Sequence, residues 1–254
     1  MNAAGTQSNH SASLEFSGGT LVLSGIPFAK LESWFGAGIW MPDDRINAAR
    51  CDAILYPAVV AELQRRHIRF DNKVHAWQDV RWKSDSLHEL RPEQDAAVES
   101  WLKAGQTGCV IMPTGTGKTE VALSIMQKTK TSTLVVSPVR DLMYQWHRRI
   151  LRGLNYDAGI IGDNTYRVHP VSVTTYDSAC IHMQKLGNTF GLIIFDECHH
   201  LPGQLRRDAA RMCAAPARLG LTATPERSDG RHSDLDQLIG PVVYELPISE
   251  VRGK

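Results

Sequence analysis

The chain has no long apolar run. Its longest, such as Leu192–Phe195, fall far short of the roughly 20 residues that a membrane-spanning helix needs, which excludes a membrane protein of that kind. It has no excess of charge: 28 Lys and Arg stand against 27 Asp and Glu, for a formal net charge of +1. That total neither implies nor excludes nucleic acid, since proteins that hold DNA often concentrate basic residues in one groove and balance them elsewhere. Cysteine is sparse and unpaired. Cys51, Cys109, Cys180, Cys198 and Cys213 form no C-x-x-C pair, and no His-x-x-x-His follows at finger spacing, which argues against structural zinc. Cysteines scattered in this way fit a reducing cytosol better than a disulfide framework. No basic segment followed by an apolar one opens the chain, so it carries no signal peptide. Met1–Ser13 is polar and rich in Ser, Asn and Ala, the composition of a disordered leader. There is no internal repeat. What these absences leave is a soluble, cytoplasmic, globular protein. Its 254 residues, 43% of them hydrophobic, suffice for one large domain or two unequal ones.

From about Lys103 onward, short apolar runs alternate with amphipathic stretches. Cys109–Met112, Thr133–Ser137, Val171–Thr174, Leu192–Phe195 and Arg218–Leu221 are of strand length and nearly continuous in apolar residues, as parallel strands covered on both faces are. Glu120–Lys128, Asp141–Leu151 and Gln204–Ala214 between them read as helices. The alternation predicts a doubly wound α/β domain with a parallel sheet. Residues 14–75 read as a small α+β domain. Thr20–Ser24 is one strand, Ile39-Trp40 begins another, and Pro57–Arg66 is a helix with proline at its first position, where a missing N–H costs nothing. Residues 76–89, with Trp77 and Trp82 among charges, read as a connector to the α/β domain, 90–254.

The strongest chemical signal is Met112-Pro-Thr-Gly-Thr-Gly-Lys-Thr119, between an expected strand and an expected helix, the context a phosphate-binding loop requires. Gly115 and Gly117 would let backbone N–H groups turn toward the phosphates at a helix N-terminus, with Pro113, Thr114 and Thr116 completing the loop. Lys118 would reach the β- and γ-phosphates and the Thr119 hydroxyl would hold Mg²⁺. Met112 stands where the strict loop pattern has its first glycine. A second signal is Leu192-Ile-Ile-Phe-Asp-Glu-Cys-His-His200, an apolar strand ending in two carboxylates. Asp196 would hold Mg²⁺ and Glu197 would polarise the attacking water. His199 and His200 lack the further spaced ligands of a metal site. In Leu90-Arg-Pro-Glu-Gln94 the Gln94 amide could pair with an adenine edge, and Arg91 sits beside it. Val136-Ser-Pro-Val-Arg140 and Val173-Thr-Thr-Tyr-Asp177 end strands in groups able to meet phosphate oxygens. Gly220-Leu-Thr-Ala-Thr-Pro225 ends in Thr222 and Thr224, near the acidic pair.

In this order the segments resemble motifs Q, I, Ia, Ib, II and III of a superfamily 2 helicase. The shortened T-G-T-G-K-T loop is frequent among such helicases. The spelling Asp-Glu-Cys-His-His, with Arg218-Leu-Gly-Leu-Thr-Ala-Thr-Pro-Glu-Arg-Ser-Asp-Gly-Arg231, is similar to the XPB-type DNA helicases. Asp44–Arg50 with Tyr56–Val60 is similar to their small damage-recognition-like domain. The resemblance implies a first RecA-like domain that uses ATP and Mg²⁺ on duplex DNA in repair or strand opening. It implies DNA contact or coupling through Pro138, Arg140, Thr174, Thr175, Tyr176, His199, Thr222, Thr224, Arg227 and Asp229. It also implies a second RecA-like domain from a longer chain, bearing arginine fingers. None follows before Lys254, so the isolated chain is expected to be nearly inactive. Two departures stand out: Ser228 lies where the pattern is Arg-Glu-Asp, and Glu93 where an aromatic is common. RNA is disfavoured, since the spellings D-E-A-D and S-A-T do not occur. Two other readings share the motifs: the motor of a restriction or phage-defence complex with a partner such as a nuclease, and a nucleotide-gated DNA-binding module without turnover.

Overall fold

The computed structural model describes residues 12–82, 87, 89–203, 205–223 and 232–247. The first domain contains strands β1 (Ala12–Ser17) and β2 (Thr20–Ser24), helix α1 (Phe28–Phe35), strands β3 (Met41–Asp43) and β4 (Ala48–Asp52), helix α2 (Tyr56–Arg65) and strand β5 (Phe70–Asn72). Their sheet has the order β3-β4-β2-β1-β5. Alternation in β1 buries Ala12 and Leu14 and turns Glu15 outward. Tyr56, Val59 and Leu63, one helical face of α2, close the core over Leu21, Leu23 and Trp40. Two expectations shift here. Ala12 and Ser13 belong to β1, with Ser13 opposite Ser24 and Asp71, so the last two residues of the stretch read as leader are part of the sheet. Trp40 is buried ahead of β3 rather than within it.

The second domain runs through α3 (Pro92–Lys103), β6 (Thr107–Ile111), α4 (Lys118–Thr129), β7 (Thr133–Ser137), α5 (Arg140–Leu154), β8 (Gly159–Gly162), β9 (Thr165–Arg167), β10 (Val171–Thr175), α6 (Tyr176–Leu186), β11 (Leu192–Asp196), α7 (Arg207–Arg211), β12 (Ala217–Thr222), α8 (His232–Leu238) and β13 (Val242–Glu245). Its eight strands follow the order β13-β6-β12-β11-β7-β10-β8-β9. Every pairing is parallel except the β8–β9 hairpin. The five apolar runs are the five central strands, within a residue or two at each end. Met143, Trp146, Ile150 and Leu154 form the buried stripe of α5. Each such side chain contributes roughly 2 kcal/mol on burial, well above the few tenths from a surface pair, so the stripe decides where the helix sits. Gln204–Ala214 narrows to the five residues of α7, because the chain leaves the helix to deliver Ala214 to the Gly187 carbonyl at 2.7 Å. Among the described residues no helix is long and apolar enough to cross a membrane.

The two domains share contacts. Arg211 bonds Asp52 at 2.8 Å, Asn188 Nδ2 donates to the Val74 carbonyl at 2.9 Å, and Ala214 is buried in the first domain's core. The connector lies along the α/β domain, with Val80 N donating to Lys130 O and Ser132 N to Gln78 O, both at 2.8 Å. Buried Arg218 on β12 ties the helices beneath the sheet. Its guanidinium donates to Ala210 O at 3.2 Å, to Leu238 O at 3.1 Å and to Cys213 O; Ala210 O also accepts from Cys213 N at 3.2 Å, while Leu238 O ends α8 and Cys213 O follows α7. Arg218→Met removes this donor from the buried Leu238 and Cys213 carbonyls. It is expected to destabilise the chain by about 2–4 kcal/mol, read as a lower urea midpoint with an unchanged slope.

Candidate nucleotide site

Strand β6 ends at Ile111, and the loop that follows turns back on itself before α4. Thr116 Oγ1 donates to Pro113 O at 2.7 Å, and Met112 N donates to Thr222 O at 3.0 Å, seating the loop against the end of β12. Gly117 has φ 87° and ψ 38° at the N-cap of α4, a left-handed conformation that glycine adopts at little cost. A side chain there would run into Gln94 Nε2 and lie 3.2 Å from Arg91 Nη2. The loop thus presents backbone N–H groups and the positive end of a helix, a cradle suited to phosphate. Lys118 reaches across it, its Nζ donating to Met112 O at 3.0 Å.

Arg91 and Gln94 brace this loop from α3. Gln94 Nε2 donates to Thr116 O at 2.9 Å, Arg91 Nη2 donates to the same oxygen, and Gln94 Oε1 accepts from Arg91 N at 3.0 Å. Gln94 is buried, and its amide is committed to protein groups at both ends. Each end of the amide keeps one further hydrogen-bonding position, a second N–H and a second lone pair, for the adenine edge expected of it.

The acidic pair sits at the carboxyl end of β11. Asp196 Oδ2 accepts from Trp146 Nε1 at 2.8 Å and Oδ1 from Glu197 N at 3.1 Å, while Tyr176 Oη donates to the Asp196 carbonyl at 3.1 Å. Burial pushes the Asp196 carboxyl upward, whereas the Trp146 bond and the Lys118 charge draw it down. Glu197 has φ 47° and ψ 54°, a left-handed conformation costing about 1 kcal/mol or more for a residue with a Cβ. That turn breaks the strand's alternation and leads into the 3₁₀ turn Cys198–His200. His199 Nδ1 lies 3.4 Å from Glu197 Oε2 and 3.0 Å from Thr222 Oγ1, joining the acidic segment to β12. Gly220 sits beneath: a Cβ there would meet the thiols of Cys109 at 2.8 Å and Cys198 at 3.0 Å.

The residues expected to face DNA divide. Arg140 is exposed and Pro138 half-exposed at the end of β7. Arg140 Nη1 donates to Asp163 Oδ1 at 3.1 Å, and Tyr144 Oη donates to Asp163 Oδ2 at 2.9 Å. Thr175 caps α6, its hydroxyl accepting from Ser178 N at 3.3 Å. Two expectations need correction. Thr174 is buried with its hydroxyl on Ile161 O at 2.7 Å. Tyr176 is fully buried, stacked on Phe195, where packing and its bond to Asp196 O keep it off the surface. Thr222 is buried as well and couples to His199 instead. Thr224, Arg227 and Asp229 lie outside the described residues. Trp146, Tyr144 and Asp163 were missed from sequence, since Trp146 reads as core and Asp163 as a polar turn.

Fold and site together define a phosphate-loop nucleotide-binding domain on a parallel sheet. Two family models match: type III restriction enzyme, res subunit, over residues 87–227, and xeroderma pigmentosum group B helicase damage recognition domain over 14–74. The chain belongs to the type III restriction enzyme res-subunit family, within superfamily 2 and of the XPB type. The DNA 3′–5′ translocase XPB2 of Sulfurisphaera tokodaii is 48% identical over 166 residues, covering 65% of this chain and 38% of the relative. The DNA 3′–5′ helicase XPB of Mycobacterium tuberculosis is 33% identical over 184 residues, covering 66% of this chain and 33% of the relative. The chain thus spans about a third of the length of these curated relatives. The fold is similar to the UvsW helicase of bacteriophage T4, with a TM-score of 0.54, 12% identity, and coverage of 92% of this chain and 99% of that one. It is also similar to the SWI2/SNF2 ATPase core of Sulfolobus solfataricus solved with dsDNA, with a TM-score of 0.52, 19% identity, and coverage of 63% and 37%.

The Gly117 geometry generates a direct test. Gly117→Ala is expected to cost about 1–3 kcal/mol of stability from the left-handed backbone, and to abolish the rise in melting temperature that ATP produces. In a Gln94→Ala background, where the clashing amide is already gone, adding Gly117→Ala should cost only the backbone part. A Gly117→Ala chain that melted and responded to ATP like wild type would contradict the close approach.

Proposed function

We propose that the chain binds Mg²⁺-ATP between the phosphate loop and the Asp196–Glu197 pair, and works as the first ATPase domain of a DNA helicase or translocase. The observation that carries this reading is that the phosphate loop and the acidic segment both meet Thr222 at the end of β12, through Met112 N on Thr222 O at 3.0 Å and His199 Nδ1 on Thr222 Oγ1 at 3.0 Å. The N–H groups of Gly115, Thr116 and Gly117 receive phosphate oxygens, and Lys118 exchanges its Met112 bond for the β- and γ-phosphates. Thr119 and Asp196 would hold the Mg²⁺. The donor set fits that ion, which binds through one or two oxygen side chains, substrate phosphates and water. When bound, the ion neutralises charge on the β- and γ-phosphates. Glu197 accepts a proton from the attacking water and orients it.

Duplex DNA as the substrate is supported by the relatives named as DNA 3′–5′ helicases and translocases and by the dsDNA in the Sulfolobus structure. Exposed Arg140, Pro138 and the end of β7 are the groups offered to its phosphates. The damage-recognition match over 14–74 favours repair or strand opening over a restriction motor with a nuclease partner. A complete motor closes two such domains on ATP, and a facing second RecA-like domain supplies the arginine that stabilises the transferring phosphoryl group.

Lys118→Ala removes a charge-assisted contact of about 1.5–3 kcal/mol, so ATP affinity by calorimetry should fall at least about tenfold while the chain stays folded. Undiminished affinity would sink the phosphate-loop reading. Glu197→Gln, placed in the full-length protein, should keep ATP bound yet lose most phosphate release. Equal turnover in wild type and this variant would remove Glu197 from its role.

A further inference from the structure

Beyond Arg140, helix α5 belongs to none of the motif segments, yet it reaches the acidic pair. Trp146 is 4% exposed and lies on the stripe Met143, Trp146, Ile150, Leu154, whose other members are wholly apolar. A polar atom in such a position costs free energy unless it is bonded, and the indole Nε1 donates to Asp196 Oδ2 at 2.8 Å. Indole nitrogen is a donor only and carries no titrating proton, so it stabilises an accepting carboxylate oxygen in one place. The other oxygen is taken by Glu197 N at 3.1 Å, which sets the plane of the carboxylate. The helix itself is anchored beside the phosphate loop, because Arg149 pairs with Glu120 on the first turn of α4.

We propose that Trp146 is a positioning residue for Mg²⁺ binding, holding Asp196 in the orientation that faces the phosphate loop. The inference rests on the reading of Asp196 as the Mg²⁺ carboxylate. Groups that orient a metal's ligands are worth about 10- to 100-fold in metal affinity when removed, and Trp146 is such a group. Its effect is confined to the metal-dependent part of nucleotide binding, since it touches neither the loop N–H groups nor Lys118's bond.

The test measures binding of a non-hydrolysable ATP analogue to this chain by calorimetry, with and without Mg²⁺. Trp146→Phe keeps a ring in the core and deletes the donor. It should lower the Mg²⁺-dependent gain in affinity about 10- to 100-fold and leave metal-free affinity unchanged. A second measurement covers a variant that does not fold. In ¹⁵N-tryptophan-labelled wild type, the indole N–H resonance displaced by Asp196→Asn should also move when Mg²⁺ joins the bound analogue. If Asp196→Asn loses the Mg²⁺-dependent gain and Trp146→Phe keeps it, the positioning role alone is overturned. An indole resonance unmoved by Mg²⁺ overturns it too. If Asp196→Asn itself keeps the gain, the metal reading of Asp196 falls first.

Discussion

The parallel alignment of β6, β12, β11, β7 and β10 is the constraint on which the chemistry depends. Parallel strands point their carboxyl ends to one edge, and crossovers return each chain to begin the next strand. The phosphate loop leaves β6, the Thr222 hydroxyl ends β12, the acidic pair ends β11, and Pro138 with Arg140 follows β7. Segments far apart in sequence thus meet within hydrogen-bond distance, as Met112 N with Thr222 O and His199 with Thr222 show. Buried runs such as Leu192–Phe195 hold that alignment, and a register slip would break every one of these meetings.

Around the cleft, the polar groups are bonded to one another. Lys118 occupies the Met112 carbonyl, Gln94 and Arg91 both occupy the Thr116 carbonyl, and Trp146 occupies a carboxylate oxygen of Asp196. Buried polar groups without partners are costly, so these bonds among its own residues organise the cradle. A bound phosphate would have to compete with those bonds. The loop is therefore shaped in advance, while its lysine starts from a resting contact. The strained backbone of Glu197 belongs to the same arrangement: the surrounding 3₁₀ turn and the His199–Thr222 contact hold a conformation that the residue alone would leave.

The two domains are joined by more than a tether. Arg211 with Asp52, Asn188 with Val74, and Ala214 inside the first domain's core set the small domain against α7 and the segment that follows it. That segment leads directly into β12, the strand carrying Arg218 and Thr222. The small domain therefore borders the elements beneath the nucleotide cleft.

How much of this was legible in the sequence follows from the length scale of each signal. Central strands are short apolar runs, and the phosphate loop and acidic pair are contiguous motifs. Burial on both faces and the demand for φ > 0 at Gly117 act within a few residues, so those features can be read locally. The hairpin β8–β9 and strand β13 were not legible. Thr165–Arg167 is wholly exposed, Gly159–Gly162 is short and glycine-bounded, and Val242–Glu245 is half-exposed at a sheet edge, so none shows the continuous apolar pattern. The polar connections were equally hidden. Tyr176 reads as a strand-end hydroxyl available to DNA, but packing beneath Asp196 buries it. Trp146 reads as one apolar position on a helix, and only the approach of β11 gives its N–H a carboxylate. Sequence by itself determined which central strands form and which residues line the loop, because those depend on local burial and backbone freedom. The tertiary structure alone decided which polar atoms meet, because that depends on where distant elements dock.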